Sequence, residues 1–164
     1  RSAETVRRKN GCKLVIFGYY SQPETRRGLE DKMPGANKQM DNRGAEPLPA
    51  GLYVVATPIG NLRDMTLRAI DTLRSVALIA CEDTRVTKTL LVHHGIHTPT
   101  FSYHDHNTER AGAKIAAEIA AGKAVALVSD AGTPLLSDPG FPLIRALVQA
   151  NQPVFAIPGA TALL

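Results

Sequence analysis

A chain of 164 residues can bury the core of one domain, but its charge is unevenly placed: residues 1–50 hold ten Lys/Arg against six Asp/Glu, the whole of the formal net charge of +4, and residues 51–164 hold nine of each. The neutral stretch therefore lacks the broad basic excess that would by itself announce a nucleic-acid footprint. Two cysteines, Cys12 and Cys81, argue against a disulfide framework and for a reducing cytoplasm, and no apolar run approaches the length of a membrane span.

The start at Arg1 reads as that of a fragment. Residues 1–50 are polar and interrupted by Pro23, Pro34, Pro47, Pro49 and several glycines; only Leu14-Val15-Ile16-Phe17 has strand character. The segment reads as a disordered or extraneous extension rather than a basic arm, because its charges are scattered. The apolar patch Lys13 to Tyr20 is too short and too poorly flanked for a secretory signal.

From Gly51 the texture changes. Leu52 to Ala56 reads as a strand, Thr66 to Ser75 as a helix with Leu67, Ile70 and Leu73 on one face, and Val76 to Cys81 as a second strand. Val86 to His94 is a helix stopped by Gly95, and Thr100 to Tyr103 a short third strand. Thr108 to Ala121 is a helix with Ile115 and Ile119 inward; Ala124 to Val128 is a strand apolar on both faces. Phe141 to Ala150 is a helix with Ile144, Leu147 and Val148 inward, and Val154 to Ile157 a fifth strand. Unbroken alternation of strand and helix predicts an α/β fold, a mostly parallel five-stranded sheet with helices on both faces.

Each of the five strands runs into a polar cluster at its C-terminal end: Thr57–Asn61, Glu82–Arg85, His104–Asn107, Ser129–Gly140 and Pro158–Thr161. In an open parallel sheet those ends share one edge, and ligands bind in the crevice outside it. The richest is Ser129 to Gly140, where Gly132 permits close backbone approach and Pro134 and Pro139 fix the loop's shape.

Several chemistries are disfavoured. Thr57-Pro58-Ile59-Gly60-Asn61 has one glycine, not the three of a dinucleotide fingerprint, and no Gly-rich loop ends in Lys-Ser/Thr. No Gly-x-Ser-x-Gly elbow occurs. His93, His94, His97, His104 and His106 lie close together, but without Cys-x-x-Cys or His-Glu-x-x-His a metal site is not expected. The carboxylates are more informative: Glu82, Asp83, Asp130 and Asp138 all fall at the shared edge, with Arg85 and His106 nearby. Such a set can accept hydrogen bonds from ribose hydroxyls or amines, and one member can act as a general base. The plainer readings are that Asp83 caps the following helix, that Arg85 pairs with Glu82, and that Cys81, Tyr53, Tyr103 and Phe101 are packing residues, Tyr103 bordering a pocket.

Thr57-Pro58-Ile59-Gly60-Asn61-Leu62-x-Asp64, Cys81-Glu82-Asp83-Thr84-Arg85, His104-x-His106-Asn107, Val128 to Gly140 (VSDAGTPLLSDPG) and Ile157-Pro158-Gly159-Ala160-Thr161-Ala162 occur in this order. Together they resemble the N-terminal half of the bacterial small-subunit rRNA methyltransferase I family, within the tetrapyrrole methylase superfamily, from about Leu52 to Leu164. The resemblance implies an α/β methylase domain over 51–158, the start of a truncated second domain over 159–164, and a cytoplasmic enzyme. It implies S-adenosyl-L-methionine as cofactor and 2′-O-methylation of a cytidine in small-subunit rRNA, with the rRNA or the 30S subunit as partner and a homodimer at full length. By the same resemblance the cofactor pocket is lined by Thr57, Pro58, Gly60, Asn61, Asp130, Gly132, Thr133, Ser137, Asp138, Pro158, Gly159 and Ala160. Asp83, His106 and Glu82 are the candidates for taking the hydroxyl proton. Two alternatives stand beside this: a corrin or porphyrin C-methyltransferase, disfavoured because those enzymes resemble Gly-x-Gly-Pro-Gly in the first loop, and an inert half-domain.

Overall fold

The computed structural model describes residues 48–104, 107–134 and 140–161, with the backbone of 5–7 and 13–15. Two short strands, β1 (Thr5–Arg7) and β2 (Lys13–Val15), pair antiparallel. The main sheet comprises β3 (Gly51–Val55), β4 (Leu78–Cys81), β5 (Thr100–Ser102), β6 (Ala124–Val128) and β7 (Val154–Ile157). Its spatial order is β5-β4-β6-β3-β7 and every pairing is parallel. The connections carry α1 (Leu67–Ser75), α2 (Thr84–His93), α3 (Thr108–Ala120) and α4 (Gly140–Gln149).

The pleat explains why helices cover both faces. Successive strand side chains point to opposite faces. Tyr53, Val55, Ile79, Cys81, Ala124, Ala126 and Val128 enter one core with Ala69 and Leu73 of α1 and Leu90 and Leu91 of α2. Leu52, Val54, Ala80, Val125 and Leu127 enter the other with Ala111, Ile115 and Ile119 of α3 and Leu143 and Leu147 of α4. All five residues of β3 and of β6 are buried, so neither strand can sit at an edge. β6 lies between β3 and β4, which precede it in sequence. Its carboxyl end therefore sits where the strand order reverses, the place at which a parallel sheet opens a crevice.

The architecture agrees with the alternation read from the sequence, and the differences are local. Leu67 is 78% exposed: the inward face of α1 is Ala69, Thr72 and Leu73, with Ile70 half-buried. Thr66 caps this helix, accepting from the Ala69 N–H at 3.2 Å, so Leu67 stands in the first turn, off the inward stripe. In α4 the inward residues are Leu143 and Leu147, with Ile144 half-buried. The second main strand begins at Leu78, because Val76 is the C-cap of α1 and donates back to the Thr72 carbonyl. α2 begins two residues early, at Thr84, because Asp83 caps it. Between residues 1 and 50 the described strands include β1, which the sequence pattern does not single out, and β2, which overlaps the expected Leu14–Phe17. Three residues are too few for a period of two to register. No helix among the described residues is long and apolar enough to cross a membrane.

Candidate functional site

The loops leaving the main strands meet, and hydrogen bonds tie them. Thr57, just past β3, exchanges both main-chain bonds with Gly132: its N–H donates to the Gly132 carbonyl at 2.8 Å and its carbonyl accepts from the Gly132 N–H at 3.1 Å. Its buried hydroxyl donates to the Ser129 carbonyl at 3.0 Å. Ser129 Oγ also donates to the Gly132 carbonyl, at 3.1 Å. Thr133 Oγ1 donates to the Ala160 carbonyl at 2.9 Å, joining the loop after β6 to the one after β7. The Asp83 N–H donates to Asp130 Oδ1 at 3.1 Å, joining the loops after β4 and β6. The Tyr103 N–H donates to the Cys81 carbonyl at 2.7 Å, extending the β4–β5 pairing to the rim.

Two glycines are favoured here, Gly132 by its conformation and Gly159 by closeness. Gly132 has φ +84° and a side chain there would lie 3.4 Å from Ile59, a left-handed conformation in which side chains are disfavoured. A Cβ on Gly159 would come within 3.0 Å of the Ala56 Cβ. The loops after β3, β6 and β7 are thus packed against one another at the rim.

The predicted residues fall as follows. Thr57 and Pro58 are buried, Gly60 and Asn61 exposed, and Asn61 caps the 3-10 turn Leu62–Asp64 by accepting from the Arg63 N–H. Gly132, Thr133 and Ala160 are drawn together, with Pro158 and Gly159 exposed beside them. Asp130 accepts from the Asp83 N–H at the start of α2 and lines a recess together with Thr57, Pro58 and Thr87. Glu82 is exposed and shares a recess with Tyr103, Leu127, Ser129, Pro134 and Gly140. His106, Ser137 and Asp138 lie outside the described residues.

Asp83 is the most constrained of the carboxylates. It caps α2 through the Arg85 N–H at 2.8 Å and accepts from Arg85 Nε at 3.1 Å and Nη2 at 2.7 Å. Arg85 therefore pairs with Asp83, not with Glu82 as the sequence suggests: curling into the first turn of α2 brings residue 85 back over the cap. Hydrogen bonds from Arg85 hold the Asp83 carboxyl down at about 2, and Arg85 is raised in turn. Cys81 is buried and reduced, and burial pushes its thiol up, as befits a core residue. Asn107 does not cap α3 with its side chain; its Oδ1 accepts from the His104 N–H at 2.9 Å and its Nδ2 donates to the Ser102 carbonyl at 3.0 Å. His94 accounts for another of the histidines structurally: its Nε2 is 2.9 Å from the Leu62 carbonyl. Among the described residues no group of three His, Cys, Asp or Glu side chains is placed to hold a metal ion.

Residues 51–164 match the family model described as Tetrapyrrole (Corrin/Porphyrin) Methylases. The chain belongs to this family. The fold agrees: uroporphyrin-III-C-methyltransferase from Thermus thermophilus superposes with TM-score 0.55 at 21% identity over 69% of this chain and 48% of that one. Cobalt precorrin-4 methyltransferase, a cobalamin biosynthetic enzyme, superposes with TM-score 0.57 at 17% identity over 68% and 46%. At the level of sequence this methylase-family chain is 58% identical over 113 residues to a ribosomal RNA small subunit methyltransferase I of Synechocystis, covering 69% of this chain and 40% of that protein. It is 52% identical over 118 residues to the protein of that name from Mesorhizobium japonicum, covering 72% and 40%, and 54% identical over 113 residues to that from Bacillus subtilis, covering 69% and 39%. The chain spans about 40% of the length of the curated relatives it matches.

Sequence reasoning missed Thr87 and Leu62 at this rim. Thr87 is 2% exposed in the first half of α2 and, with Leu62, Val86 and Leu90, faces the loop after β3. A helical threonine at an inward position carries no signal of its own. Only the placement of α2 beside Thr57 and Asp130 gives it meaning.

Proposed function

We propose that this chain is the cofactor-binding part of an S-adenosyl-L-methionine-dependent methyltransferase that modifies a cytidine ribose 2′-hydroxyl in small-subunit rRNA. The observation that carries the reading is the knot of main chain at Thr57, Gly132 and Ala160, set at the carboxyl rim of a methylase-family sheet. The relatives at 52–58% identity are named as rRNA methyltransferases, and the family match over residues 51–164 takes in all the rim loops.

The residues suit the cofactor. Gly60, with φ +78° and open space where a Cβ would stand, leaves backbone within reach of a ligand, and Pro158 and Gly159 are exposed. On this reading Thr57, Pro58, Gly60 and Asn61 form one wall. Gly132 and Thr133, with Ser137 and Asp138 from the same loop, suit the methionine part, and Pro158, Gly159 and Ala160 the adenosine side. The bound sulfonium supplies an already activated methyl group. What remains for the protein is to exclude water, hold the ribose oxygen in line and remove its proton. Asp83, held at about 2 by Arg85, is the weakest base of the three candidates, because an efficient general base has a pKa near the working pH. Its part is to place Arg85 and the start of α2. On this reading proton removal falls to His106 or to Glu82. The substrate partner is rRNA in the small subunit, which places the enzyme in the cytoplasm.

The test has two arms. Calorimetric titration of S-adenosylhomocysteine into the protein should give saturable heat that Gly132→Val removes. Incubation with labelled cofactor and either small ribosomal subunits or a porphyrin precursor should place label in 2′-O-methylcytidine of the RNA. Label on the porphyrin precursor overturns the substrate; absence of heat at millimolar ligand overturns cofactor binding by this chain.

A further inference from the structure

Two recesses flank Ser129 at the rim. The cofactor loops as assigned above draw together around Gly132, Thr133 and Ala160. One recess adjoins that knot, between the loop after β3 and α2, and shares Thr57 and Pro58 with the cofactor wall. It is a shallow recess open to solvent, lined by the apolar side chains of Pro58, Leu62, Val86 and Leu90 and by the polar Thr57, Thr87, Ser129 and Asp130; it can receive the edge of a flat ring but not a whole nucleotide.

The floor is specific about what it leaves unused. The Thr57 and Ser129 hydroxyls are spent on main-chain carbonyls. Asp130 Oδ1 accepts from the Asp83 N–H, and no further hydrogen bond or ion pair engages its carboxylate among the described residues. Thr87 Oγ1 is buried without a hydrogen-bond partner. The Cys81 thiol lies beside it, but donates to the Phe101 carbonyl at 3.5 Å and is at best a weak partner. A buried hydroxyl without a good partner is costly. Apolar walls and two polar groups with spare capacity, one acceptor-only and one able to donate or accept, fit a planar ring whose edge presents an amino group. A carboxylate accepts from the exocyclic amine of cytosine and repels the carbonyl oxygen that uracil carries in that place.

We propose that this recess is a base-reading pocket, in which the Asp130 carboxylate and the Thr87 hydroxyl receive the edge of an aminopyrimidine of the substrate nucleotide while Pro58, Leu62, Val86 and Leu90 flank its faces. The proposal rests on the methyl-transfer reading for the presence of a nucleotide, and supplies its base selection. A base held there is splayed out of its stack, which costs least in single-stranded RNA.

The experiment is an amide-resonance titration of the protein with cytidine monophosphate and with uridine monophosphate. Cytidine monophosphate should shift the amides of Thr87 and Asp130 and bind at least about fivefold tighter than the uridine analogue. Thr87→Val separates a binding role from a structural one: removing a poorly partnered buried hydroxyl should leave the melting temperature unchanged or higher, yet weaken the cytidine nucleotide severalfold. Asp130→Asn keeps an oxygen for the Asp83 N–H but adds a donor, so it should erase or reverse the preference. Equal binding of the two nucleotides, shifts that avoid this recess, or unchanged cytidine binding in Thr87→Val would each overturn the proposal. If S-adenosylhomocysteine still gives heat in those cases, the pocket assignment fails alone; if neither nucleotide nor S-adenosylhomocysteine binds, the methyl-transfer reading falls with it.

Discussion

The rim has two halves that are built differently. Above β3, β6 and β7 the loops are joined chiefly through main chain: Thr57 and Gly132 exchange both backbone bonds, and Thr133 reaches the Ala160 carbonyl. Above β4 and β5, beyond the main-chain bond from the Tyr103 N–H to the Cys81 carbonyl, the joints use side chains: Asp130 receives the Asp83 N–H, Asp83 holds Arg85, and Asn107 folds its own loop onto His104 and Ser102. A main-chain joint fixes shape whatever the side chains are, provided glycine is present where the backbone demands it. A side-chain joint fixes shape only while that residue is there, and its strength follows charge, pH and salt. The first half thus keeps its shape when side chains change, and the second keeps it only with the residues that build it.

Substitution at Gly132 should break the first half most severely. A valine there takes a β-branched side chain into φ +84° with Ile59 at 3.4 Å from its Cβ. Strain and overpacking together should cost about 3 kcal/mol, read as a lower urea midpoint with unchanged slope, and S-adenosylhomocysteine binding should be lost. A wild-type midpoint would show that the joint is not a constraint. Thr57→Val is the milder version. It keeps the backbone bridge and the volume but removes the buried hydroxyl's bond to the Ser129 carbonyl, for about 1–2 kcal/mol. A loss equal to that of Gly132→Val would mean that the hydroxyl, not the main chain, carries the joint.

The sequence made the first half legible and the second only in part. Five polar clusters after five strands sufficed to place the loops on one edge, because parallel pairing leaves no other place for them. Gly132 stood out as the glycine of the richest loop; what the structure shows at it is a positive φ and the paired main-chain bonds with Thr57. The partner of Arg85 was not: Glu82 and Asp83 are neighbours in sequence, and only the curl of the first helical turn decides which carboxylate lies under the guanidinium. Leu67 misleads because a spacing of three fits a helical stripe as well as four does, and the cap at Thr66 sets which stripe faces inward. Thr87 had no signal, since burial without a partner is a fact of packing.

The smallest expected effect concerns pH, and it tests whether the side-chain joint is electrostatic. Arg85 depresses the Asp83 carboxyl from an ordinary 3.8 to about 2. A group whose folded value lies below its unfolded value adds stability above the unfolded value and loses it as pH falls through the folded one. The contribution is therefore complete above pH 4 and fades between pH 4 and pH 2. Asp83→Asn retains a good helix-capping residue but has no charge to titrate. The melting-temperature difference between wild type and variant should be present at pH 7 and at pH 5, shrink at pH 3 and be nearly gone at pH 2. Arg85 is 90% exposed, so the difference should be small throughout and smaller still in 0.5 M salt. A difference that persists undiminished at pH 2 would mean that Asp83 holds the second half of the rim by cap geometry alone. In that event Arg85 is only a passenger on α2. Gly132→Val, which touches no ionisable group, provides the contrast: its deficit should be the same at every pH where the protein is folded.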